Sequence, residues 1–116
     1  MNEKQYKRLE PFLIDKRARQ RLILFLVADG YTVGELVAMR AGELLALTLP
    51  IAMQVCRDEV LDRRSSGPAF SYPGGAPLPC TAYYRLLRRT AEKVLGRPMS
   101  QEMFRTYIQS AKKGAR

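Results

Sequence analysis

Seven consecutive apolar residues, Leu22–Ala28, constrain the fold of this 116-residue chain more than any other feature. A helix built from them is apolar on every side and therefore belongs deep in a protein core. The run is far too short to cross a bilayer, which takes about 20 residues, so we expect no membrane partner. A basic stretch, residues 16–21, precedes the run, and Asp29-Gly30 follows it. Because glycine readily takes the left-handed conformation that ends helices, we expect the helix to end there.

Helix signals also dominate the remaining sequence. The length of the whole chain, 116 residues, is typical of one domain. We therefore expect a mainly α fold, a compact helical domain of about five helices over residues 1–116, with flexible ends at 1–10 and 112–116. The predicted helices extend from Pro11 to Asp29, from Thr32 to about Met39, from Leu49 to about Arg63, from Thr81 to Leu95 and from Ser100 to about Lys112. Thr48, Thr81 and Ser100 are the expected N-caps of the last three.

Two segments depart from this helical pattern. Residues 65–79 contain four prolines and three glycines, which predict a long loop. Phe70 and Tyr72 within the loop are expected to pin it to the core. The apolar run 42–47 is compatible with either a helical turn or a short extended segment.

The absence of histidine excludes most enzyme chemistry. The chain has no Ser-His or Cys-His nucleophile pair and no histidine metal ligand. Cys56 and Cys80 alone cannot form a zinc site, and no C-x-x-C spacing occurs, so we expect both to be packing residues with reduced thiols. We expect no enzyme activity, no catalytic residue, no metal and no cofactor. The start Met1–Glu10 is polar and charged, unlike a secretory signal, and we expect a soluble cytoplasmic protein.

Basic charge is unevenly distributed along the chain. The sequence carries 20 Lys and Arg against 11 Asp and Glu, a formal net charge of +9 at pH 7. Residues 1–21 have a net charge of +4, residues 22–84 of −2 and residues 85–116 of +7. Such a distribution indicates either a solvated basic surface or a nucleic-acid interface, and we favour DNA as the partner.

The predicted helix after the Pro/Gly loop has the clearest basic face. Arg85, Arg89 and Lys93 are spaced four residues apart, which places them on one side of the helix, and Arg88 is beside them. Like charges at this spacing are mildly destabilising unless a negative partner meets them, which favours contact with phosphates. The alternative is that Glu92 and screening by solvent are enough to offset the repulsion. The apolar stripe of this helix is predicted to comprise Tyr84, Leu87, Ala91, Val94 and Leu95. The candidate DNA-phosphate contacts are Lys16, Arg17, Arg19, Arg85, Arg88, Arg89, Lys93 and Arg105.

Two stretches of the chain resemble the tyrosine recombinase (phage integrase) family. Residues 30–40, Gly-Tyr-Thr-Val-Gly-Glu-Leu-Val-Ala-Met-Arg, are similar to the family motif G-L-R-x-S-E-L-L-A-L-R at its Gly, Glu-Leu and small apolar positions. Residues 67–110 follow the order of the catalytic domain's C-terminal half: a loop with Phe, a basic helix, a Gly, and the T-x-H-x-L-R-H-T helix. The resemblance covers roughly residues 11–111 and implies a truncated recombinase catalytic domain without its β-hairpin.

The departures from the family motifs imply that catalysis is lost. The arginine that grips the scissile phosphate in the family falls on Thr32, the motif histidine on Glu102 and the motif arginine on Arg105. A shift by one residue would instead place Gln101 at the histidine and Phe104 at the arginine. Threonine cannot replace the bidentate grip of arginine on a phosphate, and an ionised glutamate would repel it.

Two functional hypotheses follow. The first is a non-catalytic DNA-binding protein that regulates transcription or shapes DNA for a mobile genetic element such as a plasmid, a phage or an integrative element. The second is a helical protein–protein interaction module that docks on a recombinase or a transcription factor. Its exposed contact surface would be the run 42–47 together with the loop 65–79. A homodimer is compatible with both hypotheses.

Overall fold

The computed structural model of the protein, which describes residues 1–111, is built from seven α-helices around one hydrophobic core. The helices are α1 (Glu3–Leu13), α2 (Ala18–Asp29), α3 (Val33–Ala38), α4 (Ala41–Ala46), α5 (Ile51–Leu61), α6 (Cys80–Leu95) and α7 (Gln101–Gln109). Within this described part, β pairing is limited to two isolated antiparallel bridges, Arg40 with Pro68 and Ser71 with Pro77. The expectation of a mainly α fold is therefore confirmed.

The apolar run forms most of α2, the central helix. All seven side chains of residues 22–28 are buried, none more than 3% exposed. α2 contacts α5, α7, α1 and α6, so that other helices surround it. Gly30 ends the helix with φ +123°, and its N–H bonds back to the carbonyls of Leu26 and Val27. The predicted burial of this run and its glycine stop are both confirmed.

The predicted helix from Pro11 to Asp29 is wrong, because two helices occupy this part of the chain. α1 begins at Glu3, and Pro11 lies inside it. Asn2 caps α1: its Oδ1 accepts from the N–H of Gln5 at 2.8 Å, and the Gln5 side chain accepts from the N–H of Asn2 at 2.9 Å. Asp15, at φ +64°, lies in the turn before α2.

The expectation of a flexible end at residues 1–10 is also corrected, because residues 3–10 are helical and Leu9 is fully buried. The other expected flexible end, 112–116, lies outside the described residues. The ambiguous run 42–47 is resolved as helix, since α4 covers residues 41–46. These two changes raise the helix count from about five to seven.

Other helix ends follow local capping chemistry. Thr32 and Glu35 form a capping box, with N···O distances of 2.8 and 3.1 Å, and Ser100 Oγ accepts from the N–H of Met103 at 3.1 Å. Gly96 ends α6 in the left-handed conformation at φ +80°. Thr48 and Thr81 are not caps: α5 and α6 begin after Pro50 and Pro79, prolines with no N–H to satisfy.

The loop 65–79 is held against the core by its own Phe70 and by two arginines from outside the loop. Phe70 is buried and packs edge-on against Tyr83 of α6, with ring centroids 6.2 Å apart. Arg64 Nη1 donates to the carbonyl of Pro68 at 2.9 Å, and Arg19 Nη1 donates to the carbonyl of Ser71 at 2.8 Å. Phe70 therefore pins the loop as predicted, whereas Tyr72 is exposed and does not.

The predicted core stripe of α6 is confirmed except at Tyr84: Leu87 and Ala91 are buried, and Val94 and Leu95 pack against the core. Tyr83, Leu87, Thr90 and Ala91 are buried, while the predicted core residue Tyr84 is 43% exposed. Packing against α1, α2, α3 and α7 selects this face. Cys80, predicted as a packing residue, is also exposed.

None of the helices in the described part of the chain is both long and apolar enough to cross a bilayer.

Substitution of Thr90 by valine is expected to stabilise the fold. The Thr90 side chain is 2% exposed, and its hydroxyl has no hydrogen-bond partner among residues 1–111. Because valine keeps the shape and removes the unsatisfied polar atom, Thr90→Val should raise the free energy of unfolding by about 1 kcal/mol in urea denaturation. Thr106→Val, at an exposed position of α7, is the control and should change it by less than about 0.5 kcal/mol. A loss of stability in Thr90→Val would show that the hydroxyl has a partner.

Candidate nucleic-acid interface

The outer face of α6 carries four of the predicted DNA contacts. Arg85, Arg88, Arg89 and Lys93 are all exposed. The opposite face of the same helix packs on α1, α2, α3 and α7. The α6 cations are therefore presented to solvent by a helix that is itself fixed in the core.

None of these four cations is neutralised within the described part of the chain. The ion pairs found over residues 1–111 join the Met1 amino group to Asp29 at 3.6 Å and Arg57 to Asp58 at 3.3 Å. Glu92, on the same exposed side of α6, makes no ion pair with any residue in this range. The face consequently has a local positive charge with no ion-pair partner among the described residues.

The basic residues before the apolar run have more varied environments. Arg17 is exposed at the start of α2, whereas Lys16 and Arg19 are half-buried. The Arg19 guanidinium donates to the Ser71 carbonyl and lies over the ring of Tyr72, 6.0 Å from its centroid. Arg19 is thus partly used to hold the loop.

A cavity of about 550 Å³ opens between the start of α2, the end of α5 and the loop. Its charged and aromatic lining residues are Arg17, Arg19, Glu59, Asp62, Arg64 and Tyr72. Of these six, only Arg17 and Arg19 are among the predicted DNA contacts. No local sequence signal could join them to the others, because Arg19 and Ser71 are 52 residues apart.

Arg105 lies in a third place, at the turn between α2 and α3. Gln101 and Gln109, four residues to either side of it on α7, both contact this turn. Gln101 Oε1 accepts from the N–H of Val33 at 2.7 Å, and Gln109 Nε2 donates to the carbonyl of Ala28 at 3.1 Å. The helical repeat places the half-buried Arg105 on the same side of α7. The structure therefore does not gather the eight predicted cations into one surface.

Thr32 and Glu102, which fall at the motif arginine and histidine in the resemblance to the recombinases, both lie at helix starts. Thr32 Oγ1 caps α3 through the N–H of Glu35. Glu102 is exposed in the first turn of α7, where the helix dipole stabilises a negative charge. The bond between Val33 and Gln101 brings these two helix starts together. Over the described residues no group of three or more His, Cys, Asp or Glu is arranged to hold a metal ion.

Comparison with known proteins identifies no relative: no protein-family model, no curated protein and no solved structure matches this chain. The resemblance of residues 30–40 and 67–110 to the tyrosine recombinases stays a prediction.

Tyr83 of α6, which is buried and close enough to Arg19 to feel its charge, is expected to make the stability of the fold sensitive to alkali. Burial raises the pKa of its phenol from 10.0 to about 12, against the opposing effect of Arg19. The unfolded chain therefore loses this proton at lower pH than the folded protein, and the free energy of unfolding falls as the pH rises from about 10 to about 12. The loss should reach roughly 2 kcal/mol by urea denaturation.

Tyr83→Phe removes this titration, so its alkaline loss of stability should be smaller than that of the unaltered protein. Tyr84→Phe, at the neighbouring exposed position, is the control and should keep the original pH dependence. Equal pH dependence in all three proteins would contradict the assignment to Tyr83.

Proposed function

We propose that this protein binds double-stranded DNA without catalysing a reaction. The observation that carries the proposal is the outer face of α6, where Arg85, Arg88, Arg89 and Lys93 are exposed and unpaired over the described residues. Its role as a transcriptional regulator or architectural factor of a mobile element rests on the resemblance to the tyrosine recombinases.

The dimensions of this face suit a phosphate backbone. From Arg85 to Lys93 the helix rises about 12 Å, at roughly 1.5 Å per residue. Successive phosphates of one DNA strand rise by about 3.4 Å along the duplex axis while the strand winds around it, so the face is long enough to meet more than one phosphate. Neutralising them releases condensed counterions, which supplies affinity with little sequence information.

The absence of catalysis is supported by the residues at the motif positions. Cleavage of a DNA strand requires several donors on one phosphate while negative charge develops. Thr32 is occupied as a helix cap, Glu102 adds negative charge, and the chain has no histidine. Of the three positions that fall on the family's motif arginines and histidine, Thr32, Glu102 and Arg105, only Arg105 keeps the family's residue type.

One observation favours the interaction-module alternative. On the outer face of α5, Ile51 is 79% exposed and Val55 is 61% exposed. The exposed Leu45 of α4 belongs to the predicted run 42–47, but Phe70 of the loop is buried and cannot contribute. Exposed aliphatic side chains one helical turn apart are typical of a surface that docks on another protein.

Charge reversal on α6 should abolish duplex binding. Arg85→Glu, Arg89→Glu and Lys93→Glu together lower the formal net charge from +9 to +3 and replace attraction with repulsion at the proposed interface. The control is Lys4→Glu, Lys7→Glu and Arg40→Glu, which makes the same charge change at exposed positions elsewhere. In a gel shift at low salt, the α6 variant should lose binding and the control should keep most of it.

The salt dependence provides an independent measurement. The slope of log affinity against log salt should become shallower by roughly 0.9 for each phosphate that the variant no longer neutralises. Equal loss of affinity in both variants would show that only net charge matters and would overturn the α6 interface. A folded α6 variant that loses DNA binding but keeps its cellular function would favour the interaction module.

A further inference from the structure

We infer that the cavity beside Tyr72 binds one unpaired nucleotide of DNA, with the arginines holding its phosphate and the tyrosine ring stacking on its base. The inference rests on the proposed DNA binding and adds a second contact, distinct from the face of α6. The cavity volume of about 550 Å³ lies within the usual range of small-ligand sites.

The phosphate half of the site is formed by Arg17, Arg19 and Arg64. Arg17 is exposed at the N-terminal end of the 12-residue helix α2, where the helix dipole adds positive potential. Arg19 and Arg64 each donate to loop carbonyls. A guanidinium has five N–H donors, so both keep donors for a phosphate while these carbonyl bonds hold their orientation.

The base half of the site is Tyr72. Its side chain is 43% exposed, and Arg19 lies over the ring. The backbone at this position is held by a tight turn: the N–H of Tyr72 donates to the carbonyl of Ala76, and the N–H of Gly75 donates to the carbonyl of Tyr72, both at 2.8 Å. A fixed and partly exposed aromatic ring offers a stacking surface to any base.

Two carboxylates decide between an unpaired nucleotide and a duplex. Glu59 and Asp62 are exposed at the end of α5 and line the same cavity. They would repel a continuous run of phosphates, but they can accept hydrogen bonds from the exocyclic amino group of cytosine or adenine. A base inside a duplex has both faces stacked on its neighbours, so only an unpaired base can present a face to Tyr72.

The test uses an unstructured single strand of about 16 nucleotides and a duplex of the same length, with affinities measured by fluorescence anisotropy. Tyr72→Ala should weaken single-strand binding about fivefold or more, which corresponds to the loss of one stacked base. Duplex binding should change by less than about twofold, because α6 is untouched. Tyr72→Phe keeps the ring and should restore single-strand affinity.

Tyr84→Ala is the matched control, because Tyr84 is also 43% exposed but lies on α6, outside the cavity. If it weakens single-strand binding as much as Tyr72→Ala, or if Tyr72→Ala has no effect, the inference is overturned. Should Tyr72→Ala fail to fold by circular dichroism, Arg17→Glu replaces it. That variant should likewise weaken single-strand binding, and unchanged affinity would overturn the inference.

The outcome separates this inference from the proposed function. If the α6 charge reversal abolishes duplex binding but Tyr72→Ala leaves single-strand affinity unchanged, only the nucleotide site is refuted. Single-strand binding that depends on Tyr72, with no duplex binding, would refute only the α6 interface. Absence of binding to both forms of DNA would refute both.

Discussion

The burial of α2 on every side is the constraint on which the rest of the structure depends. Its seven apolar residues offer no face to water, so they are stable only when other helices enclose them. α1, α5, α6 and α7 all contact α2. The side of each helix that meets this core sets which side remains outside. On α6, the face that buries Tyr83, Leu87 and Ala91 thus leaves Arg85 and Arg89 on the outside.

The excess of basic residues serves two purposes. Arg8 donates to the carbonyl of Tyr107 at 3.0 Å and lies over its ring, which joins α1 to the end of α7. Arg19 and Arg64 hold the loop through its carbonyls in the same way. These arginines satisfy backbone acceptors that a Pro/Gly-rich loop and a helix end leave unpaired. The cations of α6 make no such bond within residues 1–111, so their charge is directed at solvent or at a ligand.

The features that could be predicted from sequence are those determined within a few residues. The burial of 22–28, the Thr32 cap and the Gly96 stop depend on neighbours in the chain. Adjacent tyrosines differ by about 100° around a helix, and only the tertiary packing selects Tyr83 over Tyr84 as the buried one. The cavity brings residues 17–20 at the start of α2 together with residues from 59 to 73, which lie at least 39 positions further along the chain. No local pattern could therefore indicate that Arg19 would meet Ser71 and Tyr72.

The hydrogen bonds at the starts of α3 and α7 explain why the proposed phosphate contacts are side chains on α6 and not the N-termini of these two helices. A helix start attracts a phosphate when its backbone N–H groups are unpaired. Here the N–H of Val33 is bound by Gln101, and that of Glu35 by Thr32. At the start of α7, Ser100 Oγ accepts from the N–H of Met103, and Glu102 adds negative charge. At these two adjoining helix starts, the N–H groups of Val33, Glu35 and Met103 are therefore already paired with the protein's own oxygens. The side chains of the α6 cations have no internal acceptor among the described residues, so under the proposed function a DNA backbone would meet them without breaking a native hydrogen bond.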